Sequence, residues 1–381
     1  MKILVITGSR ADWGLLAPVL VRLREDPNFD LVLVVTGQHL VPSAQSSLAE
    51  ISKAGFRIDA EIDMMLGEDN TTKNLTAAMG RATTGVGHII NQINPNLMLV
   101  LGDRYEILAA VSAALLCNLP VAHLCGGDVT EGTMDDSIRH AITKMSSLHF
   151  VTTDVAARRV AQMGEDPLNI HMVGSTGLDQ IRETPTLTAN QLWADLKLAQ
   201  PQQSFLITFH PATLSQNIAK QCDELIEALK DFPDATLIIT GSNADPGAHI
   251  IDQKMSAYAT NRNNAVFRTS LGPQKYYTAL SAVNVVIGNS SSGLYEAPSF
   301  GVPTVNIGDR QDGRTRATSV IDCNSNHTSI TSAIKNALRL TCIGTVNPYG
   351  DGHSAQRIVE TLLKVAAPTT LIRKTFVDLA K

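Results

Sequence analysis

The feature that most constrains this chain is a repeated one: short, nearly continuous apolar runs, each ending in a polar turn that usually carries glycine. In the first half these runs are Ile3–Ile6, Leu31–Val35, Leu97–Leu101, Val121–Leu124 and Phe150–Thr152. Between them lie stretches with helical spacing, Leu15–Arg24, Leu75–Asn91, Ile107–Leu116 and Ile138–Met145. Apolar runs of this kind are buried on both faces, and helices between them are crossovers, so the pattern predicts a parallel sheet with helices on either side. It restarts at Phe205–Thr208, Leu237–Thr240, Val266–Thr269, Val285–Ile287 and Thr304–Ile307. The segment Gly177–Gln203 has no strand pattern and reads as a short helix plus a connection. The expected fold is therefore α/β, with two Rossmann-like doubly wound domains at 1–177 and 204–354, joined by 178–203. The remaining segment, 355–381, holds a helix over Ala355–Val365 placed to pack back on the first domain. A length of 381 residues suits two domains of ordinary size.

Composition narrows the function. Formal net charge is -5, so nothing attracts the whole chain to nucleic acid or an acidic membrane, and an anionic ligand needs a local cationic site. The cysteines, Cys117, Cys125, Cys222, Cys323 and Cys342, are odd in number and form no CxxC pair. That argues against a disulfide framework or structural zinc and fits a reducing cytosol. The apolar start, Met1–Ser9, is too short for a signal peptide and runs into Gly-Ser-Arg-Ala-Asp, which reads as a first strand and its turn. No apolar run reaches the roughly 18–20 residues that span a bilayer, so a cytoplasmic location is expected.

Ligands of open parallel sheets bind beyond the carboxyl ends of the strands. Here those ends read Thr7-Gly8-Ser9-Arg10, Thr36-Gly37-Gln38-His39, Gly102-Asp103-Arg104, Gly126-Gly127-Asp128, Phe209-His210-Pro211, Gly241-Ser242-Asn243, Gly288-Asn289-Ser290-Ser291-Ser292-Gly293 and Gly308-Asp309-Arg310. One such end is an ordinary turn; eight describe a lined cleft between two domains. The segment Gly288–Gly293 follows a strand and opens a short helix through Leu294–Ser299. Its backbone N–H groups and the hydroxyls of Ser290 and Ser291 suit phosphate oxygens, or else it is a serine-rich helix cap. Arg10, Arg104, His210 and Arg310 stand at other strand ends and would complete a diphosphate site. Glu296 could accept hydrogen bonds from a ribose diol, or act as a first-turn carboxylate on the helix dipole. No GxGxxG follows the first strand and no Walker lysine motif occurs; Gly85-Val86-Gly87 lies inside a helical stretch. A nicotinamide enzyme or P-loop kinase is disfavoured, and no cofactor is expected.

A second cluster is acidic: Asp103, Asp128, Asp135 and Asp136, with His123, Arg139 and His140 near in sequence. Either Asp135 or Asp136 could be the cap of the helix that carries Arg139. Converging carboxylates would repel and raise one pKa, giving partners for proton transfer near neutral pH. A divalent metal is the competing use, disfavoured where arginines can neutralise a diphosphate. His140 and His149 read as structural.

With these residues in view the chain resembles the UDP-N-acetylglucosamine 2-epimerase family, specifically its hydrolysing branch, over nearly its whole length. The resemblance rests on Gly8-Ser9-Arg10-Ala11-Asp12, Gly102-Asp103-Arg104, Gly126-Gly127-Asp128, Asp135-Asp136-Ser137-Ile138-Arg139-His140, Phe209-His210-Pro211, Gly288 to Gly293 and Gly308-Asp309-Arg310-Gln311, in that order. Arg104 and Ser291-Ser292-Gly293 stand where the non-hydrolysing branch typically has threonine and Ser-Gly-Gly. The resemblance implies a GT-B-like fold with UDP held mainly by the second domain, and dimers or tetramers. It also implies loss of the C2 proton as the bond to UDP breaks, giving a 2-acetamidoglucal, then addition of water to yield N-acetylmannosamine and UDP. The acid/base aspartates match Asp103, Asp135 and Asp136, and the orienting residues match His123 and Arg139. UDP contacts match Arg10, His210, Asn243, Ser290, Ser291, Glu296 and Arg310. Cys125 departs from the pattern, standing where several relatives have glutamate. An unperturbed thiol, with a pKa of about 8.5, is mostly neutral at pH 7, so Asp128 or another aspartate is expected to act as base. Rival readings are the same chemistry on UDP-2,4-diacetamido-2,4,6-trideoxyglucose, a GT-B glycosyltransferase, and a nucleotide-sugar sensor without turnover.

Overall fold

The computed structural model describes residues 1–41, 45–65, 72–130, 134–211, 217–242 and 247–378. The chain divides into two compact units, one built from residues 1–180 and 349–381, the other from residues 181–348.

Unit 1 alternates strand and helix: β1 (Lys2–Thr7), α1 (Arg10–Glu25), β2 (Asp30–Thr36), α2 (Gln45–Lys53), β3 (Ala60–Ile62), α3 (Thr72–Ile93), β4 (Leu97–Leu101), α4 (Tyr105–Leu116), β5 (Val121–Leu124), α5 (Met134–Met145), β6 (Leu148–Val151), α6 (Asp154–Gln162), β7 (Ile170–Met172) and α7 (Gly177–Glu183). Its strands form one parallel sheet in the order β3-β2-β1-β4-β5-β6-β7. Unit 2 holds α8 (Ala189–Leu196), β8 (Ser204–Thr208), α9 (Ile218–Lys230), β9 (Thr236–Thr240), α10 (Ala248–Thr260), β10 (Ala265–Arg268), α11 (Gly272–Ala282), β11 (Val285–Gly288), α12 (Ser292–Tyr295), β12 (Thr304–Ile307), β13 (Val320–Cys323) and α13 (His327–Ala337). Its sheet is also parallel, in the order β10-β9-β8-β11-β12-β13. A final helix, α14 (Ser354–Leu363), belongs to unit 1.

Alternating side chains explain why the runs are apolar throughout. In β1, Ile3 and Val5 pack with Leu16 and Leu20 of α1 and with Ala355 and Ile358 of α14. Leu4 and Ile6 face the other way, onto Val86 of α3 and Ile107 and Val111 of α4. Unit 2 repeats this: Phe205 and Ile207 join a cluster with α9, α10 and α13, whereas Leu206 and Ile238 join one with α8 and α11.

The sheet-edge strands β3, β7 and β13 carry no apolar run, because edge strands are covered less and Glu61, His171 and Asp322 sit within them. The strand expected at Phe150–Thr152 lies at Leu148–Val151. Over Gly177–Gln203 there are two helices rather than one, the second closed by a capping box between Thr188 and Gln191. The helix expected through Leu294–Ser299 stops at Tyr295, and a 3-10 turn over Ala297–Phe300 follows. Pro298 is the cause, since it has no N–H to donate to the Leu294 carbonyl four residues back.

Both sheets reverse direction of growth at one place, between β1 and β4 in unit 1 and between β8 and β11 in unit 2. These switch points open a crevice beyond the strand ends. The candidate residues at 9–12 and 103–106 flank the first, and those at 209–210 and 288–293 flank the second.

Candidate active site

In unit 1 the organising group is Arg139, on α5 and buried. Its guanidinium binds the Asp103 carboxylate directly, donates to the Asp128 carbonyl at 2.8 Å and to Thr130 Oγ1 at 3.1 Å, and lies 3.5 Å from Asp136 Oδ1. A planar donor fork suits such multiple acceptors. Asp136 also accepts from the Thr130 N–H at 2.7 Å and lies 3.5 Å from His140 Nε2. Asp128 accepts from the Thr152 hydroxyl at 2.6 Å. Asp135 is exposed in the first turn of α5 and makes no side-chain hydrogen bond among the described residues. The carboxylates therefore do not crowd one another: a cation stands between Asp103 and Asp136. Neither Asp135 nor Asp136 caps the helix, because both lie inside its first turn.

Gly102, at φ +82°, turns the chain out of β4, and its carbonyl accepts from His123 Nε2 at 2.8 Å. A carbonyl only accepts, so the proton sits on Nε2, and Nδ1 faces Thr143 Oγ1 at 3.2 Å. Complete burial lowers the His123 pKa to about 3. His123 is thus a neutral strut that sets the residue before Asp103. The structure leaves Cys125 half-buried at φ +65°, and burial, with Asp128 beside it, pushes its thiol well up.

At the β1 end, Arg10 pairs with Glu50 through two contacts of 2.6 and 3.0 Å, and Arg104 pairs with Glu106 across the Tyr105 ring. Sequence reading missed Glu106 and gave Asp12 no role beyond its place in the Gly8–Asp12 motif; both are buried here. Glu106 closes against Gly8, where any side chain would collide with it, and burial raises the Asp12 carboxyl to about 6. Charged residues inside a helical stretch gave no sign of burial.

In unit 2, Gly288 at φ +140° touches the Thr208 backbone so closely that no side chain fits. That contact delivers the buried Asn289, whose Oδ1 accepts the His210 N–H at 2.7 Å while its Nδ2 donates to the His210 carbonyl at 2.8 Å. The Asn289 carbonyl in turn accepts from Gln311 at 2.8 Å and from Arg310 at 3.2 Å. Asn289 thereby fixes His210, whose Nδ1 lies 3.2 Å from Ser242 Oγ, and Arg310 around one loop. Among the described residues the backbone N–H groups of Ser290 and Ser291 have no hydrogen-bond partner. Because α12 has four residues, its dipole adds little, and anion binding rests on these N–H groups and hydroxyls. Gly293 has a packing role: its carbonyl accepts from Thr304 at 3.0 Å, and a Cβ would meet the Thr304 methyl at 2.7 Å. Glu296 is not a first-turn residue. It follows α12, takes the Ser292 hydroxyl, and has its carboxyl raised by burial. Ser292 also accepts from Tyr276 at 2.8 Å. Beside them opens a pocket of about 290 Å³ lined in part by Thr240, Leu271, Pro273, Tyr276, Tyr277 and Glu296, a feature that no sequence motif announced. Asn243 lies outside the described residues. Among the described residues no His, Cys, Asp and Glu group is arranged to hold a metal ion, and no helix is long and apolar enough to cross a membrane.

Two doubly wound parallel units with the same order of growth, each loaded with polar groups at its switch point, define a GT-B-like α/β protein. The description UDP-N-acetylglucosamine 2-epimerase matches residues 21–363. The chain is 34% identical to a GDP/UDP-N,N'-diacetylbacillosamine 2-epimerase (hydrolyzing) of Campylobacter jejuni, over 99% of both chains. It is 35% identical to the polysialic acid biosynthesis protein P7 of Escherichia coli, over 95% of this chain and 94% of that one. In fold it is similar to UDP-GlcNAc 2-epimerase from Neisseria meningitidis bound to UDP-GlcNAc, with a TM-score of 0.73 at 20% identity, covering 96% of this chain and 100% of that one. The chain belongs to the UDP-N-acetylglucosamine 2-epimerase family, in its hydrolysing branch.

Proposed function

We propose that the chain is a hydrolysing 2-epimerase of a UDP-2-acetamido sugar, with UDP held by unit 2 and the sugar's proton transfers run by unit 1. The observation that carries this reading is the Asp103–Arg139–Asp136 cluster with Asp128 beside it, set on a neutral His123. Removing the C2 proton needs a carboxylate base, and leaving-group loss needs charge on the diphosphate to be met by donors. Asp128 is the proposed base. Its Oδ1 accepts from the Thr152 hydroxyl, whereas Asp103 Oδ2 is paired with the Arg139 guanidinium. The raised thiol of Cys125 argues against a thiolate there. Expulsion of UDP gives the 2-acetamidoglucal, and water added across its double bond gives the free 2-epimeric sugar. In unit 2 the Ser290 and Ser291 groups would take the phosphates, Glu296 the ribose, and the tyrosine-lined pocket the uracil ring.

The family resemblance in the sequence placed UDP-N-acetylglucosamine first as substrate. The 34% identical relative favours the 2,4-diacetamido-2,4,6-trideoxy sugar, which we therefore put first. UDP-N-acetylglucosamine is the second reading, favoured by the matching family. Incubation with each nucleotide in heavy water, followed by NMR, tests both. We expect UDP, a free sugar of inverted C2 configuration and deuterium at C2. Sugar transferred to an acceptor without C2 exchange would instead identify a glycosyltransferase, and UDP binding without turnover a sensor.

A further inference from the structure

The helix that presents Asp135, Asp136 and Arg139 is held at its opposite end by a distant part of the chain. Resting on the reading of α5 as the acid/base helix, we propose that Lys374 is a positioning residue that caps α5 and locks it, through Glu165, to the turn between α6 and β7.

The last carbonyls of any α-helix lack partners within the helix, and a cation there also meets the negative end of its dipole. Lys374 Nζ supplies both. It donates to the Lys144 carbonyl at 2.7 Å and to the Ser146 carbonyl, at the close of α5. The same ammonium lies 2.7 Å from Glu165 Oε2. Glu165 is buried and gathers two further groups: Lys144 Nζ at 2.8 Å on Oε1 and His149 Nε2 at 2.9 Å on Oε2. Burial alone would raise this carboxyl, but the hydrogen bonds from His149, Lys144 and Lys374 bring it down to about 2. The chain beyond Lys374 continues the strap. Phe376 sets its ring 4.7 Å from Lys144 Nζ and lies on Gly164 so closely that no side chain fits there, and the Val377 N–H donates to the Gly164 carbonyl at 3.0 Å. Gly164 itself holds φ +82°. His149 stands on β6 directly opposite His123 of β5, so the strap ends one strand away from the strut beneath Asp103.

A helix of this length is rigid over roughly 18 Å, so freedom at its C-terminal end displaces Arg139 and the aspartates of its first turn. Displacements near 1 Å suffice to slow chemistry by up to about 100-fold.

The test compares full-length wild type, Lys374→Ala and Lys374→Arg by amide hydrogen exchange of α5 and by steady-state kinetics. Expected for Lys374→Ala are faster exchange across Ile138–Ser146, kcat lowered about tenfold, and KM and UDP affinity within about twofold of wild type. Arginine, which keeps the charge and donors, should restore both exchange and kcat. Wild-type exchange in the alanine variant overturns the proposal, as does unchanged kcat, or UDP affinity and kcat lost together. Should the alanine variant not fold, Phe376→Ala, which removes a largely exposed ring from the same strap, must show the same pattern in weaker form. Exchange is measured without substrate, so a wild-type protein that turns over no UDP-amino sugar would sink the proposed function and leave this test standing.

Discussion

Asn289 commits both ends of its amide to the backbone of one residue, His210, and its own carbonyl to two more side chains. Truncating it leaves the partly buried His210 N–H and carbonyl without their partners, at a cost of about 1–3 kcal/mol. Asn289→Ala should therefore weaken UDP binding by about tenfold or more, read by isothermal titration, while any residual C2 exchange persists. At unit 1 the paired substitutions are Cys125→Ser and Asp128→Asn. The serine variant should keep near-normal turnover, whereas the asparagine variant should lose about 10²–10⁴-fold in kcat; the reverse ranking would return the base to position 125. Which of these roles could be read from sequence depended on the partner. Asp103 and Arg139 were legible because each lies at a strand end or beside a dense acidic run. Asn289 was visible only as part of a serine-rich loop, since its target is a main-chain unit, which no side-chain pattern marks. Arg10 and Arg104 were legible as cations, but their carboxylate partners, Glu50 and Glu106, come from helices and carry no motif.

At the scale of elements, the buried strands could be read, as could the edge strand β10, but the edges β3, β7 and β13 could not. Leu97–Leu101 and Val121–Leu124 lie where their apolar runs placed them, because each is covered on both faces. Ala60–Ile62 and Ile170–Met172 lie at sheet edges, where cover is partial and the sequence mixes polar with apolar. The strap around α5 makes its own prediction. The Glu165 carboxyl sits at about 2, below its ordinary value of 4.5, so its contribution to stability is present above about pH 4.5 and is lost as pH falls toward 2. The His149 pKa is lowered chiefly by burial, so its neutral state favours folding above pH 6.5 and loses that advantage as the solution is acidified. Glu165→Gln should therefore lower the melting temperature clearly at pH 7 and much less at pH 3, measured by calorimetry across that range.

For the molecule as a whole, the restart of the strand pattern near residue 205 announced two units, and each sheet grows from its first strand in the same order. That order was not legible, because hydrophobic period reports which faces are buried and not which strands are neighbours. If unit 2 holds UDP as proposed, nucleotide at 100 times its Kd should stabilise the protein by about 2.7 kcal/mol, visible as a rise in melting temperature. Gly288→Ala should lower stability by more than about 3 kcal/mol, because the added methyl strikes the Thr208 backbone at a φ that only glycine adopts readily.

Unit 2 is an unbroken run of residues, 181–348, set inside a unit 1 that resumes at residue 349. A ribosome therefore delivers every residue of the inner unit before the outer one can close. During synthesis the first sheet must wait, with the face of α1 that α14 covers still bare and α5 uncapped, until residues 354–374 emerge. At roughly 5–20 residues per second that wait lasts on the order of ten seconds or more, and in its last few seconds chaperones would find unit 2 complete and unit 1 unfinished.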